Sequence, residues 1–262
     1  MARNTVKAKL QAGGAVAGSF VNIDSPGIVE VLALSGLDFL VPDCEHSAIT
    51  PEAAEDLYRA AEVHGVPSFT RVGEIDPQVV QKHLDAGSLG VQMPLVNTAA
   101  DAARLVASVK YPPVGKRGLA GVRANRFGMR EPLGEYIKDA NEETFVIAQI
   151  ETLQGIENAD AIIATPGVDV IFLGPTDLSV ALGVAGQVKH PRVLETIEVL
   201  ARKAQAAGKV TGTIARNVDD FNYWRDRGVR YLITGASQLL AEAATRFAKT
   251  IHDAEAARMA AR

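Results

Sequence analysis

A chain of 262 residues with 47% hydrophobic and 22% charged residues can bury one large core, and 27 Lys and Arg against 31 Asp and Glu, a net charge of −4 without basic runs, argue against a nucleic-acid face. Its apolar stretches fall far short of the roughly 20 residues that span a bilayer, and the opening MARNTVKAKL has no apolar signal core. The lone Cys44 excludes an internal disulfide and any multi-cysteine metal site, so a soluble cytoplasmic protein is expected, in which carboxylates and perhaps a histidine would have to hold any metal.

In chain order, β-rich runs are predicted at 14–21, 39–45, 67–72, 90–95, 145–151, 168–174, 209–214 and 229–235. Segments of helical spacing follow nearly all of them. In 51–64, Ala53, Ala54, Leu57, Ala60, Ala61 and His64 recur three or four residues apart. Gly65, Gly87, Gly167, Gly208 and Gly228 each sit between a helical pattern and a strand, where a left-handed C-cap is expected. The longest gap, 111–133, is rich in Gly, Pro and Arg and reads as an active-site lid or an oligomer contact. Residues 236–262 read as one long alanine-rich helix. Eight strands alternating with helices in a single domain, 1–262, predict an α/β fold of the (β/α)8 TIM-barrel type. A doubly wound sheet would need a glycine fingerprint after its first strand, and Asn22-Ile23-Asp24-Ser25-Pro26-Gly27 is not one.

In such a barrel the active site lies at the C-terminal ends of the strands, so the polar residues there are the candidates. Strand two ends in Asp43-Cys44-Glu45-His46, strand three in Arg71, strand five in Gln149-Ile150-Glu151, and strand six runs into Gly174-Pro175-Thr176-Asp177. Alternation puts Gln149 beneath Glu151 on the inner face. Glu151 and Asp177 would then offer an oxygen-rich divalent site suited to Mg²⁺ or Mn²⁺. Thr176 and Asp177 open a helical turn whose free N–H groups suit a substrate carboxylate. Arg71 suits an oxygen that becomes negative, as in an enolate, with a structural ion pair to Asp43 or Glu45 as the lesser alternative. His46 is the side chain here that exchanges protons near neutral pH. Glu45 stays open between supporting partner and structural contact, and His64, His83, His190 and His252 read as structural or solvent-facing. Together the candidates suggest binding of a 2-oxo acid on a divalent metal, with enolate stabilisation and proton transfer at the neighbouring carbon. A Schiff-base mechanism would need a lysine at a strand end. Lys82, Lys110, Lys138 and Lys203 fall on helical segments, Lys116 in a loop and Lys209 at the wrong end of its strand.

The order Asp43-x-Glu45-His46, Arg71, Gln149-Ile150-Glu151 and Gly174-Pro175-Thr176-Asp177-Leu178-Ser179 resembles the HpcH/HpaI aldolase family, metal-dependent class II pyruvate aldolases of the 4-hydroxy-2-oxoheptanedioate aldolase type. Supporting stretches are Ser25-Pro26, Leu84-Asp85-Ala86-Gly87, Met93-Pro94 and Tyr111-Pro112-Pro113-x-Gly115-x-Arg117-Gly118. The resemblance implies Glu151 and Asp177 as ligands of Mg²⁺ or Mn²⁺, with Co²⁺ a further candidate, and Arg71 on the pyruvate oxygen. It implies His46 as acid–base group, supported by Asp85 of a neighbouring subunit and with Asp43 close by. Gln149, Gly174, Thr176 and Asp177 then bind substrate, and Phe20 stands in the aldehyde half where many relatives carry tryptophan. The implied reaction joins or cleaves pyruvate, or hydroxypyruvate, and an aldehyde. The implied assembly is a homohexamer that exchanges its last helix between subunits. A relative of the citrate lyase β subunit acting on a CoA thioester, and a non-catalytic barrel that binds 2-oxo acids, are the alternatives.

Overall fold

The computed structural model describes residues 4–261. A short helix, α1 (Thr5–Gln11), leads into eight strands: β1 (Val16–Val21), β2 (Phe39–Pro42), β3 (Thr70–Arg71), β4 (Gly90–Met93), β5 (Phe145–Ile150), β6 (Val170–Leu173), β7 (Val210–Ile214) and β8 (Tyr231–Gly235). All paired strands run parallel in the order β2-β1-β8-β7-β6-β5-β4-β3. Bridges Leu40↔Ser68 and Asp43↔Arg71 close the ring between β2 and β3, so the predicted barrel is present with each predicted run contributing its strand. The helices between them are α2 (Pro26–Leu34), α3 (Pro51–Val63), α4 (Pro77–Ala86), α5 (Ala99–Val109), α6 (Leu133–Glu143), α7 (Leu153–Glu157), α8 (Ala159–Ile163), α9 (Pro175–Ala181), α10 (Pro191–Ala206) and α11 (Val218–Asp226). The chain ends in α12 (Ala236–Ala260).

Local chemistry explains the boundaries. Helices α2, α3 and α4 begin with Pro just after a capping Ser25, Thr50 or Asp76 whose side chain accepts from a first-turn N–H. The five glycines marked as helix stops all have positive φ, from 71° to 118°. Inside the ring, Phe39 stacks on Tyr231 at 4.4 Å and packs with Phe69, Phe145, Phe172, Ile147 and Val170, while Val6 and Leu10 of α1 close its N-terminal end. Gly18 on β1 makes room for this stack, since a Cβ there would lie 2.4 Å from the Phe39 ring.

His83 shows the structural role anticipated for it. It is 1% exposed on α4, with Nδ1 2.9 Å from the Tyr58 hydroxyl of α3, and burial pushes its pKa down to about 4. The unfolded chain therefore binds more protons than the folded one between about pH 6.5 and about pH 4, and stability is lost as pH falls through that window, by up to about 3 kcal/mol. Denaturant midpoints should fall over that range in the parent and less steeply in His83→Gln.

The segment 111–133 does not cover the mouth of its own barrel, which leaves the oligomer contact of the two readings. It follows α5 and precedes α6, so it lies at the N-terminal end of the barrel, opposite the strand ends that carry the candidate residues. Arg123 ties it there, donating 2.9 Å to the Ala86 carbonyl at the end of α4 and 2.5 Å to Glu62 at the end of α3.

Candidate active site

Asp43 organises the β2 side of the mouth. Its carboxylate receives two hydrogen bonds from Arg71, Nε to Oδ1 at 2.8 Å and Nη2 to Oδ2 at 2.6 Å, and Oδ1 also lies 3.3 Å from the Glu45 and His46 amides. The fork leaves Arg71 8% exposed with its guanidinium 4.2 Å above the Phe20 ring. Burial opposes the Arg71 charge, but Asp43, Glu45 and Glu151 outweigh it and hold the pKa above its ordinary value. The sequence offered an ion pair and an oxyanion contact as rivals, yet the geometry allows both, because the clamp aims the guanidinium without removing its remaining donors. Burial pushes the Glu45 carboxyl up, partly offset by Arg71 and His46, and its Oε2 lies 3.6 Å from His46 Nε2. The His46 side chain is 61% exposed at the mouth.

On the β5 side, Gln149 and Glu151 share the inner face as the alternation predicted. Gln149 Nε2 donates to Glu151 Oε2 at 2.5 Å, and Gln149 Oε1 accepts from Gln92 Nε2 of β4 at 2.6 Å. The Leu95 amide donates to Glu151 Oε1 at 3.0 Å, from a residue held at φ 53°. A Cβ built on Gly174 would stand 2.8 Å from Glu151 Oε2, 3.5 Å from Gln149 Nε2 and 3.8 Å from Asp177 Oδ2, so only glycine leaves the space between the two acids open. Burial pushes the Glu151 carboxyl up to about 7, and the charges of Asp177 and Glu45 add to the rise against the hydrogen bonds that lower it. Crowded carboxylates whose ionisation burial opposes are what a divalent cation stabilises, and the donor set is all oxygen. Among the described residues no three His, Cys, Asp or Glu side chains close on one point, so a cation here would draw its other ligands from water and substrate. Thr176 and Asp177 are exposed in the first turn of α9, where no side chain caps the free amides.

Asp85 is not brought to His46 within the chain. It lies in the last turn of α4 at the N-terminal end, where its Oδ1 accepts from Arg117 at 2.8 Å. Lys110 is 4% exposed, with a pKa pushed down to about 8 by burial, but its Nζ is tied to the Asn141 and Thr144 carbonyls at the start of β5, away from the mouth. Sequence reasoning missed Gln92 and the Leu95 amide. Gln92 carried a usable signal, a polar residue amid the apolar run of β4 and 0% exposed, whereas the Leu95 contact depends on a backbone conformation that no residue type announces.

Residues 17–242 match the family described as HpcH/HpaI aldolase/citrate lyase. A 5-keto-4-deoxy-D-glucarate aldolase of Salmonella paratyphi A is 37% identical over 234 residues, 89% of this chain and 90% of that protein. The crystal structure of an HpcH/HpaI aldolase from Desulfitobacterium hafniense DCB-2 superposes with a TM-score of 0.89 at 36% identity, covering 94% of this chain and 96% of the other. That of a citrate synthase, SbnG, superposes with a TM-score of 0.85 at 30% identity, covering 95% and 98%. With eight parallel strands, paired acids at the mouth and a match that runs over most of its length, the chain belongs to the HpcH/HpaI aldolase/citrate lyase family.

Proposed function

We propose that the protein is a metal-dependent aldolase that makes or breaks a carbon–carbon bond between the enolate of pyruvate, or of hydroxypyruvate, and an aldehyde. The observation that carries this reading is the convergence of Glu151, Gln149 and Asp177 on the gap above Gly174, at the same end of the barrel as the Asp43-clamped Arg71, which stands two strands from β5 across β4. Glu151 and Asp177 would hold Mg²⁺, Mn²⁺ or Co²⁺, which would bind the 2-oxo acid and offset the negative charge of its enolate. Arg71 faces the oxygen that gains charge, and the Thr176 and Asp177 amides receive the carboxylate. His46 takes the proton from the hydroxyl that becomes the aldehyde. Phe20, under the Arg71 guanidinium, borders the aldehyde half. A carboxylate-bearing aldehyde is the first to assay, because the Salmonella relative is named for a sugar diacid.

Exhaustive chelation should abolish pyruvate release, and added Mg²⁺, Mn²⁺ or Co²⁺ should restore it, while borohydride with pyruvate should leave no adduct on lysine. Full activity in chelator, or a trapped lysine adduct, would overturn the reading. The citrate synthase relative makes a CoA-dependent reaction the useful control, and no turnover of oxaloacetate with acetyl-CoA is expected. Gln92→Leu should lower divalent-metal affinity by about 10–100-fold, because it frees the Gln149 amide that orients Glu151. Metal titration reads this directly.

The assembly belongs to the same proposal. Helix α12 exposes Leu240, Phe247 and Ile251, residues spaced to lie along one stripe, and a homohexamer that exchanges this helix would cover them. In that assembly Asp85 of a neighbouring subunit would reach His46. No helix among the described residues is long and apolar enough to cross a membrane, and a cytoplasmic location accords with the lone Cys44.

A further inference from the structure

Arg71 and Arg216 both stand at strand ends on the mouth side of the barrel, and they are held in opposite ways. Arg71 is clamped by Asp43. Arg216 lies just past the end of β7, half-buried, and among the described residues its guanidinium has no hydrogen bond or ion pair. The neighbouring carboxylate of Asp220 is already engaged: its Oδ2 accepts the Arg216 backbone N–H at 3.2 Å, and its Oδ1 pairs with Lys189 at 3.0 Å. A half-buried cation whose donors are unengaged has lost part of its hydration without gaining a partner in the chain, the condition of a group placed to meet an anion.

Alternation along β7 sets the direction of Arg216. Gly212 faces the inside of the ring, where a Cβ would meet Tyr231 and Phe172, and Ile214 packs on the inner cluster that holds Phe20 and Phe172, whereas Ala215 packs on the outer core. The Ala215 amide still donates to the Ile233 carbonyl of β8, so strand pairing continues past Ile214 and makes Arg216 the next inward position. Phe20 and Phe172 meet edge to face at 6.1 Å, so Phe20, Phe172 and Ile214 form one apolar floor under the aldehyde half, with Arg216 above it. A cavity of about 210 Å³ runs alongside, walled by Arg216 with Ile214, Pro175, Leu194, Tyr223 and Trp224. Pro175 opens α9, so this space adjoins the turn of Thr176 and Asp177.

We propose that Arg216 is a specificity-determining residue, which binds a carboxylate at the far end of the aldehyde while the short carbon chain between lies on the floor of Phe20 and Ile214. Its planar fork of donors matches the two oxygens of a carboxylate, and the cavity beside it leaves the guanidinium room to turn toward them. The inference rests on the aldolase reading and names the residue that selects among aldehydes within it.

The experiment compares two aldehydes of equal chain length, 4-oxobutanoate and butanal, which differ in having a carboxylate or a methyl group at the far end. Each is added to pyruvate by the full assembled protein with Mg²⁺ or Mn²⁺, and kcat and KM are measured for both. The parent should favour 4-oxobutanoate by about 10-fold or more in kcat/KM, the worth of a charge-assisted hydrogen bond. In Arg216→Gln that preference should collapse to near one, through a rise in KM for 4-oxobutanoate, and in Arg216→Glu it should invert in favour of butanal. A preference that survives in both variants would overturn the proposal, and so would an equal loss with both aldehydes, which would make Arg216 a structural residue. Either of those results leaves the aldolase reading standing, because addition to pyruvate is still observed. No addition of either aldehyde by the metal-loaded parent would overturn the aldolase reading and this inference with it.

Discussion

Glu151→Ala is expected to reduce retro-aldol turnover to background and to abolish binding of oxalate, a pyruvate enolate analogue, in the presence of Mg²⁺ or Mn²⁺. His46→Ala is expected to lose about 10²–10⁴-fold in carbon–carbon chemistry while still binding oxalate. The contrast follows from where each group sits. Glu151 is 3% exposed, accepts from Gln149 and from the Leu95 amide, and faces Asp177 across Gly174, so under the proposed function its removal would take away one of the two proposed protein ligands and with it the platform for the 2-oxo acid. His46 projects from the other side of the mouth, 61% exposed, with Glu45 as its nearest charged neighbour, and its loss leaves the acids untouched. Oxalate titrations run beside rate measurements separate the two. If His46→Ala loses oxalate binding as completely as Glu151→Ala, then His46 is a ligand or a structural prop and the division of roles fails.

Arg71→Lys should lower kcat by about 10²–10³-fold in a protein that still unfolds cooperatively. Lysine keeps the charge but cannot reproduce the two-pronged contact with Asp43 or the flat stacking on Phe20, so the cation is no longer aimed at the oxygen that gains charge. The simpler Arg71→Ala would confuse two effects. Arg71 is 8% exposed and Asp43 3% exposed, so truncation leaves a buried carboxylate without its partner, at a stability cost of about 3–5 kcal/mol. A strand-end arginine in a barrel mouth would be expected to sit exposed and to weigh little on stability, and the burial of the pair with Asp43 corrects that expectation. Near-parental kcat in Arg71→Lys would reduce Arg71 to an ion-pair partner of Asp43.

Much of this molecule was legible in one dimension because its information is periodic or terminal. Strand and helix alternate with distinct spacings, Pro and Gly mark helix starts and stops, and the barrel rule sends attention to strand ends, so β1 to β8 and the residues Asp43, Arg71, Gln149, Glu151 and Asp177 could be named before any fold was seen. Periodicity also set Gln149 beneath Glu151. What it could not carry was contact between strands. That Arg71 binds Asp43 at two points, that Gln92 holds Gln149 from a neighbouring strand, and that Gly174 opens the space between the acids depend on parallel register and barrel closure, which are properties of the whole ring. The segment 111–133 shows the same division: its composition marked it as important, but which end of the barrel it occupies follows from the helix before it running back along the strands, and that direction is a tertiary fact. Asp85 stands on the same footing, since the family resemblance implies a place beside His46 of a neighbouring subunit while the fold of a single chain sends it to Arg117, at the far end from its own His46.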